Sequence, residues 1–221
     1  MHFHLPKPLH GWRAFVGEVA IIVLGVLIAL AGEQMVEAWR WHEKVGVVRA
    51  SIMDELANDR ARWEANIRGV PCALRVIDRL DRWAANGAPA AATPNSAILR
   101  DQLSFFWMHS ANWNLATASQ ALDHFPVTEQ LALASLYDGI VHREVELERE
   151  SDLTERVQTL VPLANDAEQR RDLRAALGNL RSNIGVVMDE DAYMKRHFNA
   201  VGVKPDRSDF EGDFSGNGCV N

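Results

Sequence analysis

The residues best suited to metal chemistry in this sequence are Asp138, His142 and Glu146, which recur every four positions. Residues four apart share one face of a helix, so two carboxylates and an imidazole would point the same way and could hold a metal with help from another helix. Helical di-metal proteins place Glu three residues before His, and none of the eight histidines has Glu there. Because no second cluster exists, a ladder of surface ion pairs explains the trio better.

Motifs for nucleophilic catalysis and phosphate binding are missing from the sequence, including G-x-S-x-G, the Walker A loop, H-E-x-x-H and G-x-G-x-x-G. His2, His4 and His10 could chelate an ion, but in a short tail they are better suited to adding pH-dependent positive charge at a lipid surface. We therefore predict no catalytic residue, no metal site and no cofactor. We also predict that the protein is not an enzyme.

The run from His142 to Arg156, HREVELERESDLTER, holds six acids and three arginines. One interpretation is a face that binds cations or docks a partner. The other is a solvated helix surface with charge pairs at i,i+4 spacing, which the composition favours because only three large apolar residues interrupt the charges.

Composition narrows the class of protein further. The net charge of -7 and the pI near 5.6 argue against a nucleic-acid partner, because nucleic acids bind concentrated basic faces. An apolar content of 48% with 24% charged residues is ordinary for a folded chain. Two cysteines exclude a disulfide-dense scaffold and a four-cysteine zinc site.

Residues 14–32, AFVGEVAIIVLGVLIALAG, form an apolar run of nineteen positions with one charge. A helix of that length covers about 28 Å, close to the hydrocarbon thickness of a bilayer. A buried core helix is the alternative, but such helices rarely carry so long an uninterrupted apolar stretch. We predict a transmembrane helix in contact with the lipid bilayer. Its predicted interface anchors are Trp12, Arg13, Trp39 and Trp41.

The charges on the two flanks orient this helix. Lys7 and Arg13 precede it without any acid, whereas Glu33 and Glu37 open the other flank. Positive charge stays on the cytoplasmic side, so the first thirteen residues are predicted to be cytoplasmic. The bulk of the chain is then periplasmic, and the protein is a single-pass protein of a bacterial inner membrane.

A cleavable signal peptide is the competing interpretation, because Ala29-Leu30-Ala31 resembles a cleavage site. The apolar run is long for a signal peptide and contains Glu18, which favours a retained anchor. No cysteine follows the run where a lipoprotein would carry its lipid.

Four residues along the membrane run repeat every four positions and form a shallow face of small side chains: Gly17, Ile21, Gly25 and Ala29. Glu18 lies beside this face. It either reaches water near the cytoplasmic interface or hydrogen-bonds another membrane helix. We predict that these five residues pack against a second copy of the chain or another membrane protein.

The segment Gly17 to Leu30, GEVAIIVLGVLIAL, followed by Glu33-Gln34 and Trp39, resembles a bacterial family of single-pass inner-membrane proteins catalogued as a domain of unknown function. That family shows a Gly-Glu pair opening an Ile/Val/Leu-rich helix, then a tryptophan. A weaker similarity covers Ala116 to Tyr137, where relatives show a turn and a Leu-rich helix ending in Tyr. The chain lacks the Asn-Asn-Trp-Asn that often follows the membrane helix in relatives. The resemblance implies single-pass topology and an all-helical external domain, without an established activity.

Helical spacing dominates after the membrane run, and no stretch alternates as a strand does. We predict an all-α fold in which the transmembrane helix continues into a stalk and a periplasmic helical bundle. Gly69 and Pro71 are predicted to end the stalk, and Asn86-Gly87 to end a second helix. The predicted divisions are 1–13 cytoplasmic stub, 14–32 transmembrane helix, 33–201 extracytoplasmic helical domain and 202–221 loose tail.

Proline, threonine and leucine positions outline the remaining helices. Thr93-Pro94 is predicted to start a third helix that reaches about His109, and another short helix is predicted from Asn114 to Phe125. A long helix is predicted to start at Pro126 and to end at Val161, before Pro162. The last helix carries a heptad seam, which favours the core of one chain over a seam between two chains. Its residues are Leu173, Leu177, Leu180, Ile184 and Val187.

Cys72 and Cys219 both fall on the oxidising side of the membrane in this topology, and an even cysteine count there favours pairing. The glycine-rich tail gives Cys219 freedom to reach Cys72. Two unrelated thiols and an intermolecular bridge through Cys219 remain open alternatives.

These features favour a membrane-anchored structural or accessory protein that binds other membrane or envelope proteins. The alternative is a periplasmic helical bundle that senses a ligand and acts through a partner membrane protein, because the thirteen predicted cytoplasmic residues cannot form an output domain.

Overall fold

The computed structural model describes residues 11–87, 94–103 and 105–208, and all the regular secondary structure within these ranges is helical. These described ranges contain five α-helices: α1 Gly11–Asn86, α2 Ile98–Leu103, α3 Ala111–Ala118, α4 Val127–Leu160 and α5 Ala167–Val201. Two short 3-10 helices cover Ala121–His124 and Val161–Leu163. The all-α prediction is therefore confirmed for the described part of the chain.

The chain divides into two compact units, residues 1–47 and residues 48–221. The described part of the N-terminal unit is helical and belongs to α1, and its apolar side chains from residue 15 to residue 39 are exposed, including Ile21 at 73%. This part of α1 is long and apolar enough to cross a membrane, by length and composition.

The C-terminal unit has its own apolar core, to which α1, α2, α4 and α5 all contribute. Its interior is continuous from one helix to the next, as expected for helices that each bury one apolar stripe. The fully buried members include Ala73, Ile77, Leu80, Leu99, Val157, Leu173, Leu180 and Ile184.

The predicted break at Gly69 and Pro71 is wrong, because α1 continues through both residues to Asn86. Pro71 lacks a backbone N–H, yet the helix persists because Val70 and Ala73 on either side are buried in the core. Gly69 allows another segment of the chain to approach α1 closely. A Cβ at this position would lie 1.5 Å from the carbonyl oxygen of Gln102 at the end of α2. The helix does end at Asn86, followed by Gly87 with a φ of +62°, as the sequence predicted.

The short helices differ from their predicted bounds. Residues 94–97 are not helical, and α2 ends at Leu103 rather than near His109. The predicted helix from Asn114 to Phe125 is interrupted after Ala118, because Gln120 adopts a left-handed conformation with a φ of 57°.

The two long C-terminal helices agree with the sequence. Helix α4 starts directly after Pro126 and gives way to a 3-10 turn that contains Pro162. All five residues of the heptad seam on α5 are buried inside the C-terminal unit, so the seam is part of this chain's own core. Helix α5 begins with a capping box between Asp166 and Gln169. Hydrogen bonds and ion pairs that join Ser135 to Tyr193 and His142 to Glu190 show that α4 and α5 are antiparallel.

The sequence predicted a loose tail from Gly202, but the described part of that segment contacts α1. Val203 is buried, and the amide of Asp206 donates to the carbonyl of Ala57 at 2.9 Å. Arg207 forms an ion pair with Glu64 at 2.6 Å. Residues 209–221 lie outside the described residues.

Candidate functional site, a buried polar cluster

The predicted membrane-packing residues all lie on the N-terminal part of α1, where the structure leaves them exposed: Gly17, Glu18, Ile21, Gly25 and Ala29. A methyl group added at Gly17 or Gly25 would meet no atom within 4 Å beyond its own helix. Within the described residues, nothing covers the small-residue face.

The predicted interface anchors are placed on the same helix. Trp12 and Trp39 are exposed, and the ring of Trp12 lies 6.3 Å from that of Phe15. Trp41 is half-buried, and the ammonium of Lys44 lies 4.5 Å from its ring centre. Arg13 is exposed.

Cys72 lies inside α1 and is disulfide-bonded. A guanidinium nitrogen of Arg75, one turn further along, lies 3.1 Å from its sulfur. Cys219 lies outside the described residues, so the pairing of Cys72 with Cys219 stays a prediction.

The structure does not gather Asp138, His142 and Glu146 into a ladder. Asp138 is exposed, whereas His142 pairs with Glu190 of α5 at 2.9 Å. Glu146 is buried and bonds elsewhere. Among the described residues, no three His, Cys, Asp or Glu side chains are arranged to hold a metal ion.

The prediction that residues 142–156 form a solvated surface is wrong for one face of α4. Arg143, Glu146, Glu150 and Thr154 are buried, with Arg143 only 1% exposed. Their spacing of three to four residues places them on the face that packs against α1 and α5. Burial is tolerated because opposite charges pair along that face.

Arg143 is at the centre of this buried polar cluster. Its Nη2 donates to Glu150 at 3.0 Å, and its guanidinium lies 5.8 Å from the ring of Trp63 on α1. Burial raises the pKa of Glu150, and the neighbouring Arg143 counteracts that rise. Two further donors of Arg143, Nε and Nη1, have no hydrogen-bond partner in the part of the chain that the structure describes.

Helix α5 completes the cluster with Asn183. Its Nδ2 donates to Glu146 at 2.5 Å, whereas its buried Oδ1 has no hydrogen-bond partner among the described residues. Trp63 donates from Nε1 to Asp191 of α5 at 3.0 Å. The cluster thus joins three helices, because Arg143 and Glu146 of α4 contact Trp63 of α1 and Asn183 of α5, respectively. Within the described residues, it leaves buried donor and acceptor atoms unsatisfied.

A second set of buried polar side chains on α1 binds the backbone of the segment before α3 and of the first turn of α3. Asn66 accepts from the amide of Phe106 and donates to its carbonyl, both at 2.9 Å. Asp59 accepts from the amide of His109 at 2.9 Å, and Glu55 accepts from the amide of Asn112 at 2.8 Å. These contacts satisfy backbone groups that no helix would otherwise pair.

Tyr137 of α4 joins this second set. Its hydroxyl donates to Glu55 at 2.7 Å, and its ring stacks on Trp113 with centres 4.8 Å apart. Burial and the bond to Glu55 raise the pKa of Tyr137. Burial raises the pKa of Asp59 to about 7, although the amide of His109 and the charge of Arg62 act in the opposite direction.

The sequence contained a signal for both sets that composition alone hides. Glu55, Asp59 and Asn66 lie four and seven residues apart, on the same helical stretch as the core residues Ile52 and Leu56. Polar residues that keep the spacing of an apolar stripe are candidates for burial.

Chemically, the first set joins side chains of different helices and the second binds backbone, and within the described residues the buried donors of Arg143 and the buried Oδ1 of Asn183 keep hydrogen-bonding capacity that the chain does not use. Comparison of the chain with protein-family models, with curated proteins and with solved structures found no match in any of the three.

Proposed function

We propose that this protein is a membrane-anchored accessory protein of a bacterial inner membrane. In this proposal the apolar part of α1 spans the bilayer, and the C-terminal helical unit lies in the periplasm and binds other membrane or envelope proteins. One observation carries the proposal. The apolar side chains of residues 15–30 are exposed, whereas the C-terminal unit buries a complete core of its own. Exposed apolar surface on this scale needs an apolar environment, which a bilayer provides.

The proposed orientation rests on charge. Lys7 and Arg13 precede the apolar run, and Glu33 and Glu37 follow it. The positive-inside rule then favours a cytoplasmic N-terminus and a periplasmic C-terminal unit.

The proposed contact with a partner lies within the membrane. Lipid tails provide no hydrophobic drive between helices, so close backbone packing at small residues stabilises helix pairs. Gly17 and Gly25 leave that space open, and Glu18 beside them could hydrogen-bond across the contact.

Detergent co-purification of the full chain, with identification of bound proteins, tests this proposal. Gly25→Leu and Glu18→Leu should each reduce partner recovery, because one fills the small-residue face and the other removes the polar group. Val23→Leu is the matched control, since Val23 lies on the opposite side of the helix. Unchanged recovery with both test variants would show that the face contacts only lipid.

A second candidate function is ligand sensing by the C-terminal unit, and the unpaired atoms of Arg143 and Asn183 favour it. Acetate and acetamide are suitable probes, because both offer acceptor oxygens and only one carries charge. If the cluster binds such groups, one probe should raise the thermal unfolding temperature of the full chain, and Arg143→Met should abolish the rise. Equal melting temperatures with and without both probes would eliminate this candidate.

A further inference from the structure

Side chains of α1 hold a neighbouring stretch of the chain by its backbone. Residues 105–110 have no regular secondary structure and lead into the first turn of α3, and we call residues 105–112 the latch segment. The backbone amides of residues 106, 109 and 112 donate to Asn66, Asp59 and Glu55, in that order. The latch segment therefore runs antiparallel to α1.

The spacing of the donors matches the spacing of the acceptors. Seven residues of helix from Asn66 back to Asp59 rise about 10.5 Å, and three residues of extended chain from 106 to 109 cover about 10 Å. Glu55 lies one further turn back on the same side of α1 and accepts from the first turn of α3. The latch segment is thus fixed by a regular row of polar contacts.

The latch segment separates Asp59 from solvent. Met108 is 1% exposed, whereas Trp107 and His109 on either side of it are exposed. The amide of His109 bonds to Asp59, so the backbone of the segment lies over this carboxylate. Asp59 itself is 0% exposed, and its Oδ2 has no hydrogen-bond partner among the described residues.

The groups around Asp59 disfavour its negative charge. Glu55 of α1 and Glu144 of α4 repel that charge, whereas Arg62 of α1 attracts it from 3.4 Å. Burial removes the water that would otherwise stabilise the ion. Ionisation therefore adds a charge beside two other carboxylates in a site that the latch segment keeps dry.

Two further titratable groups belong to the same surroundings. The hydroxyl of Tyr137 on α4 donates to Glu55, and it is held in that bond at 2.7 Å. The imidazole of His109 attracts Glu144 when it is protonated. His109 therefore also acts on the latch segment, and a test has to separate its titration from that of Asp59.

We propose that the latch segment is a pH-controlled device, which stays on α1 while Asp59 is protonated and leaves α1 when Asp59 ionises. Departure of the segment gives the carboxylate water and breaks a few polar contacts, whereas the apolar core of the unit stays intact. All the residues involved belong to the C-terminal unit, so the device does not depend on the proposed membrane anchor.

Proton linkage gives the direction of the change. The closed form holds the proton of Asp59 more tightly than the open form, in which water surrounds the carboxylate. Burial raises the pKa of Asp59 from 3.8 to about 7 in the closed form. The preference for the closed form is thus full below the lower value and is lost as the pH rises to the higher one.

Oxidation of methionine by dilute hydrogen peroxide measures this opening at Met108. Met194 of α5 is the matched reference in the core, because both side chains are 1% exposed. Met188 is 49% exposed and gives the rate of an accessible thioether at each pH. Peptide mass spectrometry of the full chain in detergent records the three rates together.

We expect the rate at Met108, relative to Met188, to rise at least about tenfold between pH 5 and pH 8. Met194 should stay slower than Met108 throughout, because its exposure requires unfolding of the core. Equal rates at Met108 and Met194 would mean that only global unfolding exposes both residues. That result, or a rate at Met108 that does not rise with pH, would overturn the proposal without any variant.

Substitutions assign the pH dependence to one group. Asp59→Asn keeps an acceptor for the amide of His109 but cannot ionise, so it should abolish the rise at Met108. Asp54→Asn, at an exposed position of the same helix, is the matched control and should retain the rise. His109→Gln keeps the amide, removes the imidazole and should also retain it. Persistence of the rise in Asp59→Asn, or its loss in His109→Gln, contradicts the control by Asp59.

Discussion

At the scale of single residues, Asp59 has the most consequential environment. Its side chain is fully buried, one carboxylate oxygen accepts from the amide of His109, and the other has no hydrogen-bond partner within residues 11–87, 94–103 and 105–208. Desolvation raises the pKa of Asp59 from 3.8 to about 7. The negative charges of Glu55 and Glu144 add to this rise, whereas the amide of His109 and the charge of Arg62 oppose it. A raised pKa means that the folded chain holds this proton more tightly than the unfolded chain does.

The pH dependence of stability follows from that sign. The contribution of Asp59 is full below its unfolded pKa and is lost as the pH rises through the folded value near 7. A shift from 3.8 to about 7 corresponds to roughly 4 kcal/mol in the free energy of unfolding, at about 1.36 kcal/mol per pKa unit. Chemical denaturation of the full chain between pH 4 and 8 should show a decline that Asp59→Asn reduces. A decline of equal size in both proteins would assign it to other groups.

The buried arginine gives a second prediction at this scale. Arg143→Ala should lower the free energy of unfolding by about 3–5 kcal/mol, because Glu150 is left as a buried carboxylate without its partner. The double variant Arg143→Met with Glu150→Leu should lose much less of the free energy of unfolding, since neither charge of this pair stays buried.

Arg149→Ala is the matched control for Arg143→Ala. Arg149 pairs with Glu146 at 3.0 Å, but its side chain is 61% exposed. Its loss should cost about 0–1 kcal/mol in urea unfolding. Equal losses at the two arginines would mean that the buried pair contributes no more than a surface pair.

At the scale of elements, local sequence signals compete with tertiary contacts, and at Gly69 the tertiary contacts prevail. Glycine and proline two residues apart normally end a helix, yet α1 continues because α2 packs closely on Gly69 and the buried Val70 and Ala73 flank the exposed Pro71. The glycine is required by the carbonyl of Gln102, which occupies the space of a side chain.

Gly69→Ala should therefore destabilise the protein although alanine is the better helix former. The new methyl group would meet backbone rather than a flexible side chain, so we expect a loss of about 1–3 kcal/mol or more as α2 moves away. At Gly178 on α5, an added Cβ would meet no described atom within 4 Å. Gly178→Ala should therefore raise the free energy of unfolding by about 0.5–1 kcal/mol. Thermal unfolding of both variants tests this prediction. A higher stability of both variants would contradict the close approach of the Gln102 carbonyl to Gly69.

The sequence predicted those elements whose ends are set by their own residues. Pro126 and Pro162 delimit α4, and the heptad seam of α5 is buried, because backbone chemistry and spacing act locally there. The continuation of α1 past Pro71 depends on contacts with distant segments, which spacing does not reveal. The polar cluster was missed for a related reason. The charge density of residues 142–156 conceals that Arg143 and Glu150 share one face with core leucines.

At the scale of the whole molecule, the charges around the apolar run predict topology. Alkaline phosphatase fused after Trp41 or after Asn221 should be active, because it works only in the periplasm, whereas a fluorescent cytoplasmic reporter should stay dark at both points. Exchange of Arg13 and Lys7 for glutamate should weaken or invert this pattern. Fluorescence from a reporter after Asn221 in the unaltered chain would refute the orientation.

The disulfide is a second feature of the whole chain. Cys72 is disulfide-bonded, and the sequence contains two cysteines. We expect non-reducing mass spectrometry to recover a peptide that links Cys72 to Cys219, and closing so long a loop could stabilise by about 3–5 kcal/mol. Recovery of a covalent dimer through Cys219 would replace this prediction with an intermolecular bridge. Alkylation of both thiols without prior reduction would contradict the oxidising compartment.

The uninterrupted course of α1 to Asn86 has a consequence for biosynthesis. Its core residues Ile77 and Leu80 are made first, whereas α5, which packs in the same core, is complete only at Val201, 115 residues after Asn86. At about 5–20 residues per second, the ribosome needs roughly 6 to 23 s for that interval. During this interval, the apolar side of α1 is exposed on the nascent chain, because the rest of the core has not been completed. Chaperone demand during translation should therefore be greatest between the emergence of α1 and that of α5.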